Sequence, residues 1–180
     1  MSTLTDADIE QIGEQLWMAV TLRDMPRCET ILERDVPNMS RARQQHVLNW
    51  RNARDLNLTV THAAVVAGNH HALSLLLATG MADPTLQSAS GNRPLHTACF
   101  YGFEDCVRLL LNHDAVQVDA KGAGGWTALS SAAQEGHFRC VELLLNAGAS
   151  PNVRAGQGGT PLYFATLRDD ALMCMLLLSR

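Results

Sequence analysis

The chain has 180 residues, of which 47% are hydrophobic and 18% charged, and its formal net charge is −4 at pH 7. This composition is typical of a folded domain, and the acidic balance argues against a general nucleic-acid binder, which normally presents a basic face. No apolar run approaches the roughly 20 residues that span a bilayer. No N-terminal segment shows the succession of basic, apolar and small residues that is typical of a signal peptide.

Residues 1–56 are predicted to form N-terminal capping helices, a degenerate helix pair and a basic insertion. Thr5 precedes three acidic residues, which favours a helix start because carboxylates stabilise the positive end of the helix dipole. We interpret Leu16–Val20 as the first helix of the degenerate pair and Arg27–Leu32 as its second helix. A pair that closes one end of a stack is expected to be atypical because its outer face meets water.

The insertion from Glu33 to Asp55 contains Ser40 as a candidate helix cap. Its basic residues are Arg41, Arg43, His46, Arg51 and Arg54. One interpretation is a solvated helix that packs Val47, Leu48 and Trp50 against the rest of the chain. The other is a binding site for an acidic peptide.

One pattern then recurs four times, 33 to 34 residues apart, beginning at Thr59, Arg93, Thr127 and Thr160. In each copy a leucine triplet starts 16 residues after the first residue. In the first three copies a glycine lies between the first residue and the triplet: Gly68, Gly102 and Gly136. In the third copy, Thr127 is expected to cap a short helix that Gly136 ends, and His137–Leu145 to form a second helix. Such a period indicates stacked units, with boundaries near 57–87, 88–121, 122–154 and 155–180, the last one incomplete.

The four copies resemble the ankyrin repeat, most clearly in Arg93-Pro94-Leu95-His96 and Thr160-Pro161-Leu162-Tyr163. The resemblance covers residues 54–180 and implies an all-α ankyrin-repeat solenoid of stacked helix-turn-helix units with projecting turns. It also implies that His62 and His96 hydrogen-bond between adjacent loops. The fourth copy departs from the pattern because Asp169 replaces the expected glycine.

The sequence predicts no enzyme, no metal site and no cofactor. His70-His71 has no further ligand at metal-binding spacing, and no nucleophile, base and acid recur in a recognisable order. The glycine-rich stretches 122–125 and 156–159 lack the Gly-Lys-Ser/Thr ending of a phosphate loop.

The cysteines are Cys28, Cys99, Cys106, Cys140 and Cys174. An odd number without a close pair predicts reduced thiols, and therefore an intracellular protein, cytoplasmic or nuclear. Cys28, Cys106 and Cys140 occupy one position of successive second helices, which favours packing over metal or redox chemistry.

Ankyrin proteins generally bind another protein or peptide through a concave face, built from the projecting turns and the ends of the first helices. The resemblance places there Phe100, Tyr101, Trp126, Asn92, Gln134, Glu135, Lys121, Leu167 and Arg168, with Gln157 among other turn residues. We expect the three aromatic residues to form one patch that carries binding. The alternative is that Trp126 and Phe100 only pack against neighbouring turns.

A subfamily resemblance rests on Trp17-Met18-Ala19-Val20 and on the basic insertion with Trp50-Arg51 before Leu58-Thr59, and the single lysine against thirteen arginines fits it. These features are similar to ankyrin repeat and SOCS box proteins, and imply the substrate-recognition part of a cullin-RING ubiquitin ligase receptor. The SOCS box is not in these residues, so cullin-ligase subunits would bind only through sequence beyond Arg180.

Other interpretations are a scaffold or inhibitor, or the ankyrin portion of a bacterial effector. The low lysine content also fits simple lineage bias. Because an apolar second helix ends at Leu178, we expect the chain to be a fragment of a longer protein.

Overall fold

The computed structural model describes residues 5–156 and 158–180, and these form a stack of helix pairs. Its α-helices are Asp6–Thr21 (α1), Met25–Thr30 (α2), Arg41–Leu48 (α3), Val60–Val66 (α4), His70–Ala78 (α5), Pro94–Tyr101 (α6), Glu104–Leu111 (α7), Ala128–Glu135 (α8), Phe138–Asn146 (α9), Pro161–Leu167 (α10) and Ala171–Leu178 (α11). A π-helical turn, Ile31–Asp35, continues α2, and a 3₁₀ turn spans Ala123–Gly125. Two short strands, Arg51–Asn52 (β1) and Leu58–Thr59 (β2), pair in antiparallel orientation.

The helices lie in two layers. The first helices, α1, α4, α6, α8 and α10, contact one another in that order, and the second helices, α2, α5, α7, α9 and α11, do the same. One continuous core of small and branched side chains runs between the layers, and its fully buried members include Leu16, Leu73, Leu110, Leu129 and Leu144. The predicted all-α stack is confirmed. A 6- to 9-residue helix buries too little surface alone, so each pair depends on its neighbours.

Threonines begin most of the first helices. The hydroxyl oxygen of Thr127 accepts a hydrogen bond from the Ser130 amide at 3.1 Å, and Thr160 accepts one from Tyr163 at 3.3 Å. Thr5 forms a capping box with Asp8 at the start of α1. The predicted cap roles of Thr5 and Thr127 are confirmed. Ser40 precedes α3 as expected but makes no side-chain capping bond.

A residue with positive φ ends each first helix. Gly68, Gly102 and Gly136 have φ values of 59°, 72° and 80°. The corresponding residues of the last and first pairs are Asp169, at 55°, and Arg23, at 58°. The left-handed turn is therefore kept where glycine is replaced, although it costs a non-glycine residue about 1–2 kcal/mol.

The insertion covers the outer side of α1. Val47 and Leu48 of α3 are fully buried, and the indole of Trp50 lies over Gly13, where a β-carbon would meet the ring at 2.5 Å. The Trp50 Nε1 donates to a carboxylate oxygen of Glu10 at 2.6 Å. These contacts confirm that the insertion packs its apolar residues on the stack. The β1–β2 hairpin that follows was not predicted.

Candidate functional site

The C-terminal ends of the first helices form one side of the stack, here called the helix-end surface. It consists of the exposed residues one or two positions before the positive-φ residues: Leu22, Val66, Phe100, Tyr101, Gln134, Leu167 and Arg168. The left-handed turn stops each helix at the same point, so the side chains just before it project from equivalent places. Most of these exposed side chains are apolar.

Phe100 and Tyr101 are the most prominent aromatic pair on this surface. Their exposed fractions are 50% and 48%, and their ring centroids lie 5.2 Å apart in an edge-on arrangement. Tyr101 also stacks on Phe103 at 5.6 Å. The Phe100 carbonyl accepts a hydrogen bond from His137 Nε2 at 3.0 Å, so the backbone that presents the rings is held by the next repeat.

Trp126 lies with a different set of aromatic residues. Its ring is half-buried and stacks on Phe164 of the following repeat, with centroids 4.7 Å apart, and Phe164 in turn contacts Tyr163. The structure therefore does not bring Trp126 together with Phe100 and Tyr101 as one aromatic patch. Trp126 packs instead against α10 of the following repeat.

The polar residues of the predicted site divide into two groups. Asn92 and Arg168 join repeats, since the Asn92 Oδ1 accepts from the Ala123 amide at 2.9 Å and the Arg168 Nη1 donates to the Gln134 carbonyl at 3.0 Å. The side chains of Lys121 and Gln134 are exposed, and Glu135 is half-buried. Gln157 lies outside the described residues.

Sequence reasoning missed the contribution of the first helix pair to this surface. Leu22 is 78% exposed and lies directly before the left-handed turn at Arg23. Aligning Arg23 with the repeat glycines would have revealed it, but an arginine gives no sequence signal for positive φ.

Comparison with known families agrees with this architecture. A family model described as "Ankyrin repeats (3 copies)" matches residues 37–122, 61–155 and 116–180, which together cover residues 37–180. The chain belongs to the ankyrin repeat family. No curated protein matches it. Ankyrin repeats are protein-interaction modules and are generally non-catalytic, and the subfamily resemblance gains no support from these matches.

The repeat histidines of this ankyrin stack connect adjacent loops, as predicted. His62 Nε2 lies 3.0 Å from the Asn92 carbonyl, which can only accept, so Nε2 carries the proton. Nδ1 then accepts from the hydroxyl and the amide of Thr59, at 2.8 and 3.4 Å. His96 repeats this arrangement with the carbonyls of Ala120 and Trp126. This geometry requires the neutral imidazole.

Burial also favours the neutral form of both rings. The pKa of His62 is lowered to about 4, mainly by desolvation and less by the Arg51 charge, against the opposing effect of the bond to the Asn92 carbonyl. The pKa of His96 is lowered mainly by burial, which outweighs its two carbonyl bonds. These histidines are structural members of the ankyrin stack, with no solvent-accessible base among them.

The cysteines of the second helices pack between ankyrin repeats. Cys28, Cys106 and Cys140 are buried, and desolvation raises the pKa of each thiol to about 11. Cys99 of α6 is fully buried, and desolvation raises the pKa of its thiol well above the ordinary value. The predicted packing role is confirmed for this position.

Metal clusters and membrane-spanning helices are both absent from the described residues. No group of three or more histidine, cysteine, aspartate or glutamate side chains converges there in a way that would hold a metal ion. Within the same residues, none of the helices has the length and apolarity needed to cross a bilayer.

The groove beside the insertion has mixed charge. It has a volume of about 720 Å³ and lies between α1 and residues 50–54. Glu10 and Glu14 line one wall, and Arg51 and Arg54 line the other. A purely acidic peptide would meet both carboxylates, so the structure gives no support to the acidic-peptide interpretation.

Proposed function

We propose that the chain binds a partner protein through the helix-end surface, which would be the concave face of the ankyrin stack. The observation that carries this proposal is the recurrence of exposed apolar side chains just before the left-handed turns in four of the five helix pairs. Their exposed fractions are 78% for Leu22, 41% for Val66, 50% for Phe100, 48% for Tyr101 and 66% for Leu167. The pair α8–α9 instead carries Gln134 and Glu135.

The scaffold itself does not require these side chains. In α8 the polar Gln134 and Glu135 occupy the positions of Phe100 and Tyr101, and the helix still ends at a left-handed glycine. Exposed apolar residues repeated on one surface are typical of a protein-binding site. Aromatic anchors that become buried at an interface commonly cost about 2 kcal/mol or more when truncated, which corresponds to roughly 30-fold in Kd.

The test compares two double variants in the capture of partners from cytosolic lysate, followed by affinity measurement on the captured protein. We expect Phe100→Ala/Tyr101→Ala to weaken binding at least about 30-fold, the factor expected for truncated anchors. The control, Leu172→Ala/Met175→Ala, removes apolar side chains from α11 that are more exposed still, at 70% and 68%. Equal partner affinity for both variants, each with an unchanged unfolding midpoint, would contradict the proposal.

A more specific proposal is that these repeats recognise the substrate of a cullin-RING ubiquitin ligase. It is supported by the single lysine, Lys121, which leaves few amines for ubiquitin transfer, and by the subfamily resemblance at Trp17 and Trp50. The test fuses residues 1–180 to a SOCS box and measures ubiquitylation of the captured partner. A partner that is bound but not modified favours a scaffold or inhibitor. The proposal of binding would survive that result.

A further inference from the structure

Positive charge is concentrated in the projecting turns, residues 50–59, 84–93, 118–127 and 151–160. These ranges contain five of the 14 lysine and arginine residues but only two of the 18 acidic residues. The five cations, here called the turn row, are Arg51 and Arg54 in the first turn, Arg93 in the second, Lys121 in the third and Arg154 in the fourth. Every turn therefore carries positive charge, although the net charge of the chain is −4.

The nearby aspartates do not neutralise the turn row. Both carboxylate oxygens of Asp119 accept from the Ser150 amide, at 3.0 and 3.2 Å. Asp83, just before the second turn, accepts from the amide and hydroxyl of Thr85, and Asp55 is exposed. Within the described residues the ion pairs lie elsewhere, between α1 and α3 and on α9. The turn row thus has no carboxylate partner in that part of the chain.

Hydrogen bonds between the turns hold the row in place. Arg51 Nη1 donates to the Gln87 carbonyl at 2.7 Å, and Arg93 Nη1 donates to the Lys121 carbonyl at 2.9 Å. These two guanidinium groups are half-buried, whereas Arg54, Lys121 and Arg154 are exposed. Glu10 and Glu14 lie across the groove from the first turn, so the least opposed charges are those of the other three turns.

A cavity beside Arg93 adds a pocket to the row. It has a volume of about 170 Å³, lies between the second and third turns, and is lined by no acidic residue. Arg93 Nε donates to the Thr85 carbonyl at 3.1 Å, and its Nη2 makes no hydrogen bond within the described residues. His96, which also lines the cavity, is neutral, so Arg93 supplies the charge there. A planar guanidinium with free N–H groups matches a carboxylate.

We propose that the turn row binds an acidic segment of a partner protein, with one carboxylate side chain in the cavity beside Arg93. Packed helices lie roughly 8–10 Å apart, so the row from the first to the fourth turn spans roughly 24–30 Å. About nine residues of extended chain cover this distance, and alternate side chains of such a chain share one face. Complementary charge also selects such a segment over neutral or basic ones. The inference adds a second contact surface to the proposed binding function, and rests on it only in naming a protein as the ligand.

A nucleic acid matches the turn row less well. Closely spaced phosphates favour a broad basic face. Sixteen of the 18 acidic residues of this chain lie outside the turns, so a long polyanion would meet carboxylates on either side of the row. A short acidic segment that follows the turns avoids them.

Fluorescence anisotropy at 50 mM NaCl tests the proposal with the labelled peptide (Ser-Glu)6 and its neutral counterpart (Ser-Gln)6. All glutamates of the extended peptide lie on one face, and we expect only the acidic peptide to bind. Lys121→Gln/Arg154→Gln removes two exposed charges and should raise Kd about fivefold or more, as the loss of two exposed ion pairs predicts. The matched control, Arg108→Gln/Arg139→Gln, removes two exposed charges from α7 and α9 of the same repeats and should leave Kd nearly unchanged.

Three results would overturn the proposal. The first is no binding of (Ser-Glu)6 by wild type up to about 1 mM, and the second is an equal rise in Kd for both variants. The third is tighter binding of a twelve-nucleotide oligothymidylate, which would assign the row to nucleic acid. Phe100→Ala/Tyr101→Ala should leave the peptide affinity unchanged, because these rings belong to the helix-end surface. Failure of the peptide test is therefore distinguishable from failure of the partner-capture test.

Discussion

Acid should destabilise this protein through His62 more than through any exposed histidine. The ring is fully buried and its Nδ1 accepts from Thr59, so protonation adds a charge and removes an acceptor. An unfolded histidine titrates near 6.5, whereas burial lowers the pKa of His62 to about 4. The unfolded state therefore binds more protons between these values, and stability falls as the pH decreases through this window.

The size of the effect follows from the two pKa values. Between pH 7 and pH 4.5 the linkage relation predicts a loss of roughly 2 kcal/mol from His62 alone. This is a large share of the 5–15 kcal/mol that stabilises a typical domain. The lowered pKa of His96 adds a loss of the same sign.

Urea unfolding at pH 7 and pH 4.5 measures this loss, with a variant to separate His62 from the titrating carboxylates. His62→Gln lowers stability at both pH values because the histidine bonds are lost, but it should lose roughly 2 kcal/mol less than wild type on acidification. The exposed His70→Gln serves as the matched control and should lose as much as wild type. If wild type and His62→Gln lose the same free energy, the argument from burial and tautomer is wrong.

Three further predictions concern local chemistry and backbone geometry. A thiol reagent such as DTNB, followed at 412 nm, should label the half-buried Cys174 rapidly. It should label the buried Cys28, Cys99, Cys106 and Cys140 only on unfolding. Fast labelling of several thiols in the native protein would contradict their burial. Asp169→Gly should raise the free energy of unfolding by about 1 kcal/mol, because φ is 55° there; a lower unfolding midpoint would show that the aspartate side chain stabilises the turn. Gly156→Ala should lower the unfolding midpoint, since the added β-carbon would collide with the Gly124 carbonyl of the neighbouring turn. The control Gly148→Ala has open space around the new β-carbon, so it should lower the midpoint only by the cost of a positive φ.

The sequence was sufficient for the stack because its strongest signals are local. Each of these signals determines a helix end or a buried face, as Thr127, the turn glycine Gly136 and the leucine triplets do. Their regular period then determines which helix pairs stack on each other. The β1–β2 hairpin was missed because Arg51–Asn52 and Leu58–Thr59 are too short to show alternation.

The candidate site was predicted less completely for a physical reason. Alignment of the repeats places Trp126 in a turn, but the direction of its ring depends on Phe164 of α10 in the next repeat, and such packing of a turn on a helix does not recur with the period. Asn92 and Arg168 were predicted to contact a partner, which stays a prediction, and sequence did not reveal that both also join repeats. Leu22 was missed because the turn that follows it contains Arg23 and not glycine.

Hydrogen bonds between the ends of neighbouring first helices affect the entropy of partner binding. Arg23 donates to the Ala67 and Gly68 carbonyls, His137 to Phe100 and Arg168 to Gln134, so the backbone behind the exposed apolar side chains is held from the adjacent repeat. The spacing of these side chains is thus fixed before a partner protein binds. A ligand that spans several repeats loses little conformational entropy on the protein side, and a ligand with the wrong spacing cannot be accommodated by a local adjustment.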